Sequence, residues 1–338
     1  MPSMFLRLAG LLLVIIVLAC TFYTWSNLSN SSSQTKLNRF NLAADQSAAG
    51  IAAQFEVYAN TLYSGRALFV SGEPVTRTSW DGFVKAQNIS QRYPAITSID
   101  YVTVVSRTNL QNFLQQLTSE QQPGTPTITV FPTTQHEQLA ILTYYSAQTN
   151  RQNIIGYDLM SDPARSRVLG IARDDNVPRA SVPLKLTGDT TVTGPSIVIV
   201  LPVYKATAAS LSTVADRRDD LQGYVAMGLH LKPIIASVVA QSAFAGQINV
   251  QVVTNGETIY STGTTSSSSS SLKKTIRLDL AGQTWNLAFT APKNYSLSLS
   301  AISAPYITLV SGILVAILLG ITFYYAIGLR IVRSDKTN

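Results

Sequence analysis

Cysteine is nearly missing from this chain: Cys20 is the only one among 338 residues. No intramolecular disulfide can form, so any folded region is held by its core alone. Cys20 also lies inside an apolar run, which leaves no thiol nucleophile elsewhere. Histidine is almost as scarce. His136 and His230 are far apart, with no HExxH and no His/Asp/Glu cluster at metal spacing, so each reads as a structural or surface residue. No Gly-x-Ser-x-Gly elbow and no phosphate-binding Walker loop is present. Serines abound, but a nucleophilic serine needs a base, and the two histidines are poorly placed to serve. These absences argue against an enzyme and leave no residues for a metal or a cofactor. Charge is sparse too, at 13% of residues. The net charge of +7 contains no Lys/Arg cluster, and part of it sits at the two ends, so nucleic-acid binding has no electrostatic footprint.

What the chain does have is two long apolar runs, at residues 4–25 and 306–331. Each carries about twenty apolar residues, enough to cross a hydrocarbon core roughly 30 Å thick as a helix. Trp25, Tyr306, Tyr324 and Tyr325 lie near the run ends, where amphipathic rings favour the interface. Arg7 lies near the outer end of the first run, and Arg330, Arg333 and Lys336 lie at or beyond the outer end of the second. The positive-inside bias therefore predicts a two-pass protein of the plasma membrane, with both termini cytoplasmic and the middle extracytoplasmic. Val17-Leu18-Ala19-Cys20 resembles a lipoprotein cleavage box. Leu18 is large for that position, however, and the apolar run continues past Cys20, so an uncleaved anchor is expected.

The middle alternates helical and strand signals. Residues 34–69 place Leu37, Phe40, Ala44, Ala48, Ile51, Phe55, Tyr58 and Leu62 at steps of three and four, which predicts one long amphipathic helix. Its stripe suits either packing on its own domain or a dimer seam. A short helix with Trp80 and Phe83 follows, then strands at 96–105, 127–131, 139–145, 180–186 and 197–204. Helices are expected around 110–117 and from Pro163, where Asp162 is an N-cap. Residues 207–220 read as a polar seam. After it come a strand at 223–229, a helix at 233–241, and hairpins turning at Asn255-Gly256 and Ala281-Gly282. The Ser/Thr tract at 263–271 reads as a disordered loop tip. This mixture predicts an α+β architecture. Its divisions are 1–26 (tip and first span), 27–79 (stalk helix), 80–205 (membrane-distal unit), 206–221 (connector), 222–304 (membrane-proximal unit), 305–329 (second span) and 330–338 (cytoplasmic tail).

Several pieces in order carry a family likeness. Gly65-Arg66-Ala67-Leu68-Phe69, then Ser71, ends the long helix; Phe83, Tyr93-Pro94 and Ile99-Asp100-Tyr101 lead into the sheet. Gly156-Tyr157-Asp158 precedes Ser161-Asp162-Pro163-Ala164-Arg165, and Ala172-Arg173-Asp174 precedes Ser181-Val182-Pro183-Leu184. Leu201-Pro202-Val203-Tyr204-Lys205 closes the series. In this order the chain resembles the CHASE domain, the extracytoplasmic sensor of many receptor kinases and cyclases. The resemblance implies two PAS-like subdomains on a long helix, a small-molecule pocket in the distal one, dimerisation, and signal transfer through the spans to a kinase or cyclase. A catalytic output usually follows the second span in that family. The tail here is too short for one, which points either to a receptor signalling through a separate partner or to an input-only fragment.

The family's pocket threonine falls on Ser181. The acidic pocket residue of plant cytokinin receptors falls near Gln138, with Glu137 adjacent. An amide in place of a carboxylate argues against a cytokinin ligand. From apolar walls with a few polar groups, the expected lining is Tyr101, Tyr144, Ile171, Ser181, Leu184 and Tyr204; the resemblance adds Gln138 to this ligand-binding set. Asp158, Arg165 and Arg173 are read instead as residues that cap and pair around the helix beginning at Pro163. The rival to a sensor is an anchored protein-interaction scaffold with no small-molecule ligand.

Overall fold

The computed structural model describes residues 2–70, 74–121, 124–125, 127–147, 154–189, 194–205, 211–242, 246–262, 272–292, 295 and 299–334. The chain divides into two compact units: residues 1–42 with 291–338, and residues 43–290.

The first unit consists of the N-terminal part of α1 (Pro2–Val70) and the last helix, α8 (Leu299–Ser334). Both are long and apolar enough to cross a membrane. Leu11, Phe22, Ile317 and Leu318 stand outward and exposed, as a lipid-facing surface requires. The two helices touch through small residues. A side chain on Gly312 would run into Thr21, and one on Gly10 would lie 2.9 Å from the Phe323 ring. Thr21 turns its hydroxyl back to the Val17 carbonyl at 2.8 Å, which satisfies that group inside an apolar helix.

In the second unit two antiparallel sheets lie along the rest of α1. The first contains β1 (Ile96–Ser106), β2 (Gln138–Ala147), β3 (Arg179–Ala180), β4 (Ser196–Tyr204) and β5 (Leu221–His230), in the order β2-β1-β5-β4-β3. The second contains β6 (Asn249–Thr254), β7 (Glu257–Ser261), β8 (Lys273–Leu280) and β9 (Gln283–Thr290), in the order β7-β6-β9-β8. The helices are α2 (Arg77–Ala86), α3 (Ile89–Arg92), α4 (Leu110–Ser119), α5 (Pro163–Asp175), α6 (Val214–Asp219) and α7 (Leu231–Gln241). The apolar stripe of α1 is buried in its own chain: Ala44, Ile51 and Leu62 are fully enclosed, and Phe55 meets Trp285 of β9 edge-on at 5.0 Å.

Three strand assignments differ from the sequence reading. Residues 223–229 were expected to open the proximal unit beyond a connector at 206–221. They form β5, which pairs with both β1 and β4 and is the middle strand of the first sheet. Both faces of β5 are covered, so its apolar run has no alternation to mark its partner. The strand expected at 180–186 shrinks to β3, because Pro183 has no amide to donate to a ladder. The strand expected at 127–131 makes only a single bridge, Phe131 to Tyr157, and Pro132 follows it. The hairpin turns stand where expected: Asn255 and Ala281 take left-handed φ of 50° and 49°, with Gly256 and Gly282 next to them. The Ser/Thr tract 263–271 lies outside the described residues.

Strand parity splits the first sheet into two environments. On one face Tyr101 lies opposite Tyr144, and the pair packs with Phe69 of α1 and Trp80 of α2; Phe69 stacks on Tyr101 at 3.9 Å. On the other face Val102, Leu142, Val200 and Tyr224 pack with Val168, Leu169 and Ala172 of α5.

Candidate functional site

The α5 face of the first sheet holds a concentration of buried polar groups. Ser98 and Asp100 share its parity on β1, and both are more than nine-tenths buried. Ser98 donates to Asp100 Oδ2 at 2.8 Å. Thr97 lies beside them at the same depth. On neighbouring β5, Gly228 opposes Ser98. A side chain there would strike the Thr97 hydroxyl at 2.4 Å and press toward Leu186, so glycine keeps this part of the floor open.

The roof is built by the segment that leads into α5. Asp158, fully buried, accepts from the amides of Ala140 at 3.1 Å and Met160 at 3.0 Å, and from the Thr134 hydroxyl at 3.1 Å. It thus ties a short 3₁₀ turn (Leu159–Ser161) to β2. Asp162 caps α5, accepting from the Arg165 amide at 2.9 Å, and Pro163 follows at the first helical position. Arg165 is 6% exposed. It pairs with Asp162 at 3.2 Å, donates to the Lys185 carbonyl at 2.8 Å, and lies over the Tyr157 ring at 5.6 Å.

Behind the roof a turn at residues 186–189 closes with the Asp189 amide bonded to the Leu186 carbonyl. Asp189 reaches His230 Nε2 at 3.1 Å, and His230 Nδ1 lies 2.9 Å from Ser196 Oγ. Both acid and imidazole are buried, so each needs its partner. His230, read from sequence as structural, is the last residue of β5 and leads into α7.

Floor and roof border a cavity of about 50 Å³, lined among others by Ser98, Asp100, Tyr145, Tyr157, Arg165 and Gly228. Two larger hollows exist. A groove of about 710 Å³ runs between α4 and residues 127–134, and a cleft of about 530 Å³ separates α5 from the β8–β9 turn. Both are lined largely by exposed or half-exposed side chains. The small cavity is where four polar residues, each more than nine-tenths buried, converge. Among the described residues no cluster could hold a metal ion.

None of the seven residues expected to bind a ligand lines this cavity. Tyr101 and Tyr144 point to the opposite face. The Tyr144 hydroxyl donates to the Val75 carbonyl at 2.8 Å and to Glu120 at 3.2 Å, whereas that of Tyr101 is buried with no partner among the described residues. Burial raises the ionisation range of both phenols; Tyr144 adds to it for Tyr101, and Glu120 for Tyr144. Gln138 stands exposed at the start of β2. Ile171, 45% exposed, faces the α5 cleft. Ser181 is buried, but its hydroxyl bridges the Val182 carbonyl and the Val198 amide. Leu184 packs on the core beside the cavity, and Tyr204 donates to the Arg173 carbonyl, its phenol pushed up to about 12 by burial.

The cavity residues outside that set were legible in one respect. In Ile96–Ser106 the charged Asp100 interrupts an apolar strand, and an acid in a buried strand is expensive unless it has a role. Asp158, Arg165 and Arg173 do cap and pair as read, but Arg165 does so while facing the cavity.

Comparison with known proteins agrees with the sequence resemblance. The sequence pattern of the CHASE domain matches residues 73–269, more than half of the chain. No curated protein matches it. Solved structures with a similar course include an extracellular ligand binding receptor from Desulfohalobium retbaense (13% identity, TM-score 0.47), of which this chain spans 40% while 75% of its own length is covered. A domain of a sensory box/GGDEF family protein from Vibrio parahaemolyticus is 11% identical, with 80% of this chain and 98% of that one covered and a TM-score of 0.44. The periplasmic sensory domain of a Campylobacter jejuni chemoreceptor is 10% identical, with 82% and 97% covered and a TM-score of 0.38. The chain belongs to the CHASE domain family of extracytoplasmic sensors.

Proposed function

We propose that this protein is a two-pass membrane sensor, with both termini cytoplasmic, that binds a small molecule under α5 and passes the signal through its spans to a separate kinase or cyclase. In this reading the two sheets are PAS-like subdomains, the outer face of α1 pairs two copies, and the chain itself catalyses nothing. The observation that carries the reading is the cavity between the first sheet and α5, where Asp100, Arg165, Ser98 and Thr97 are all withdrawn from solvent. A scaffold has no use for buried charges around a hollow, since each costs free energy to desolvate. Binding there would shift the balance between two arrangements of the roof relative to the sheet.

The test is a thermal-shift screen of a broad small-molecule library on the full chain in nanodiscs. A ligand at 100 times its Kd stabilises a protein by about 2.7 kcal/mol. Ala226→Leu pushes a larger side chain into the cavity floor and is expected to abolish the shift of any true ligand. A ligand whose shift is unchanged in Ala226→Leu binds elsewhere and defeats this site.

A further inference from the structure

Between its apolar run and its buried stripe, α1 crosses a stretch with little to support it. From Phe22 to Arg39 no residue of α1 is buried, whereas Phe40, Ala43, Ala44, Ser47 and Ala48 just beyond all are. Residues 26–35 read SNLSNSSSQT: eight of the ten are serine, asparagine or threonine, and none is charged. No pair of opposite charges can therefore brace these turns at i, i+4. Short polar side chains also compete with the helix for its own backbone groups. Thr35 does so here, turning its hydroxyl to the Ser31 carbonyl at 2.8 Å. A helix that is polar all round and carries no such ion pairs has little to hold it closed.

Opening the middle of a helix requires a second nucleus to restart it, a factor of about 10⁻³ against the open form. Serine, asparagine and threonine each carry a propagation constant of roughly 0.5, against about 1.5 for alanine. Eight of them favour the open form by about 10², so the closed form leads by only about tenfold. Farther along α1, burial of Ile51, Phe55, Tyr58 and Leu62 widens that margin far beyond this. We propose that residues 26–36 form a soft link in α1, which opens locally while the helix on either side stays closed. What the link carries rests on the sensor reading above; its opening does not. In a sensor, such a link turns a movement of the outer part of α1 into a change of helicity beside the apolar run. That is an order–disorder step, not the push of a rigid rod.

The experiment is hydrogen–deuterium exchange of the full chain in nanodiscs, read by mass spectrometry. Residues 29–36 are expected to exchange at least about 100-fold faster than residues 44–62. Ser29→Ala, Asn30→Ala, Ser31→Ala, Ser32→Ala and Ser33→Ala, made together, change only exposed or half-exposed side chains. This set is expected to slow residues 29–36 by at least about tenfold and to leave residues 44–62 within about twofold of the unaltered chain. Equal protection of the two stretches in the unaltered chain would mean that something covers the link, and overturns the proposal. An alanine set that leaves residues 29–36 as fast as before shows that composition is not the cause. One that slows both stretches in step shows a single cooperative rod. Either result overturns the link as well. If the set fails to fold, the comparison within the unaltered chain decides alone. These outcomes are independent of the small-molecule screen, which judges the sensor reading separately.

Discussion

Tyr101 and Tyr144 lie opposite each other on neighbouring strands, yet removing their hydroxyls is expected to change stability in opposite directions. Tyr101 is 4% exposed, and its hydroxyl has no hydrogen-bond partner among the described residues. A buried, unsatisfied polar group costs about 1–3 kcal/mol. Tyr101→Phe keeps the ring, and with it the Phe69 stack at 3.9 Å, and removes only that cost. We expect a gain of about 1 kcal/mol, or roughly 2–4 °C in Tm for a domain of this size. The Tyr144 hydroxyl makes two bonds, at 2.8 Å to the Val75 carbonyl and at 3.2 Å to Glu120. Tyr144→Phe breaks both and strands a carbonyl, for an expected loss of about 1–2 kcal/mol. Thermal unfolding of the full chain in nanodiscs, followed by tryptophan fluorescence, reads the result. Trp80 sits 6.2 Å from both rings and reports directly on this cluster. A Tyr101→Phe variant that loses as much stability as Tyr144→Phe would show that the Tyr101 hydroxyl has a partner, and the reasoning fails.

Two other outcomes follow from charged groups outside the cavity. Hydrogen bonds from Arg218 at 2.6 Å and Arg173 at 2.7 Å hold the Asp174 carboxyl well below the usual carboxylate range. A depressed folded-state value means stability that is present above about pH 4 and drains away as pH falls below it. Asp174→Asn should therefore flatten the acid limb of a stability-against-pH curve, and an unaltered slope between about pH 4 and 2 would count against this ion-pair account. Asp158→Ala leaves the buried amides of Ala140 and Met160 without an acceptor, an expected loss of about 2–5 kcal/mol by denaturant unfolding. Asp158→Asn retains the Oδ1 that both amides use and should lose far less; equal losses would mean that the bonds are not the cause.

The separation of the expected ligand-binding residues from the small cavity has a physical explanation. Residues such as Tyr101 and Tyr144 look like pocket walls because they are large, amphipathic and set in a buried strand. Those same properties suit a face packed on α1 and α2. Successive side chains of a strand point to opposite faces, so Tyr101 and Asp100 face different environments although they adjoin in sequence. Which parity faces the hollow depends on which helix covers which face, and no local pattern carries that information. Ser181 stands away from the cavity for another reason: a small polar residue between β3 and Pro183 is well suited to bridging nearby backbone.

Local chemistry was sufficient for much of this molecule. The two apolar runs, the long stripe of α1, the Asp162-Pro163 start of α5 and the left-handed turns at Asn255 and Ala281 each follow from the residues at that point. So does family membership, because its signature is a series of short motifs in order. Tertiary structure alone decided the pairing of β5 with β1 and β4, the allocation of faces on the first sheet, and the meeting of Asp100 with Arg165 around one cavity. A central strand buried on both faces has no alternation to reveal its neighbours. A site assembled from residues 65 positions apart exists only once the sheet and α5 have packed.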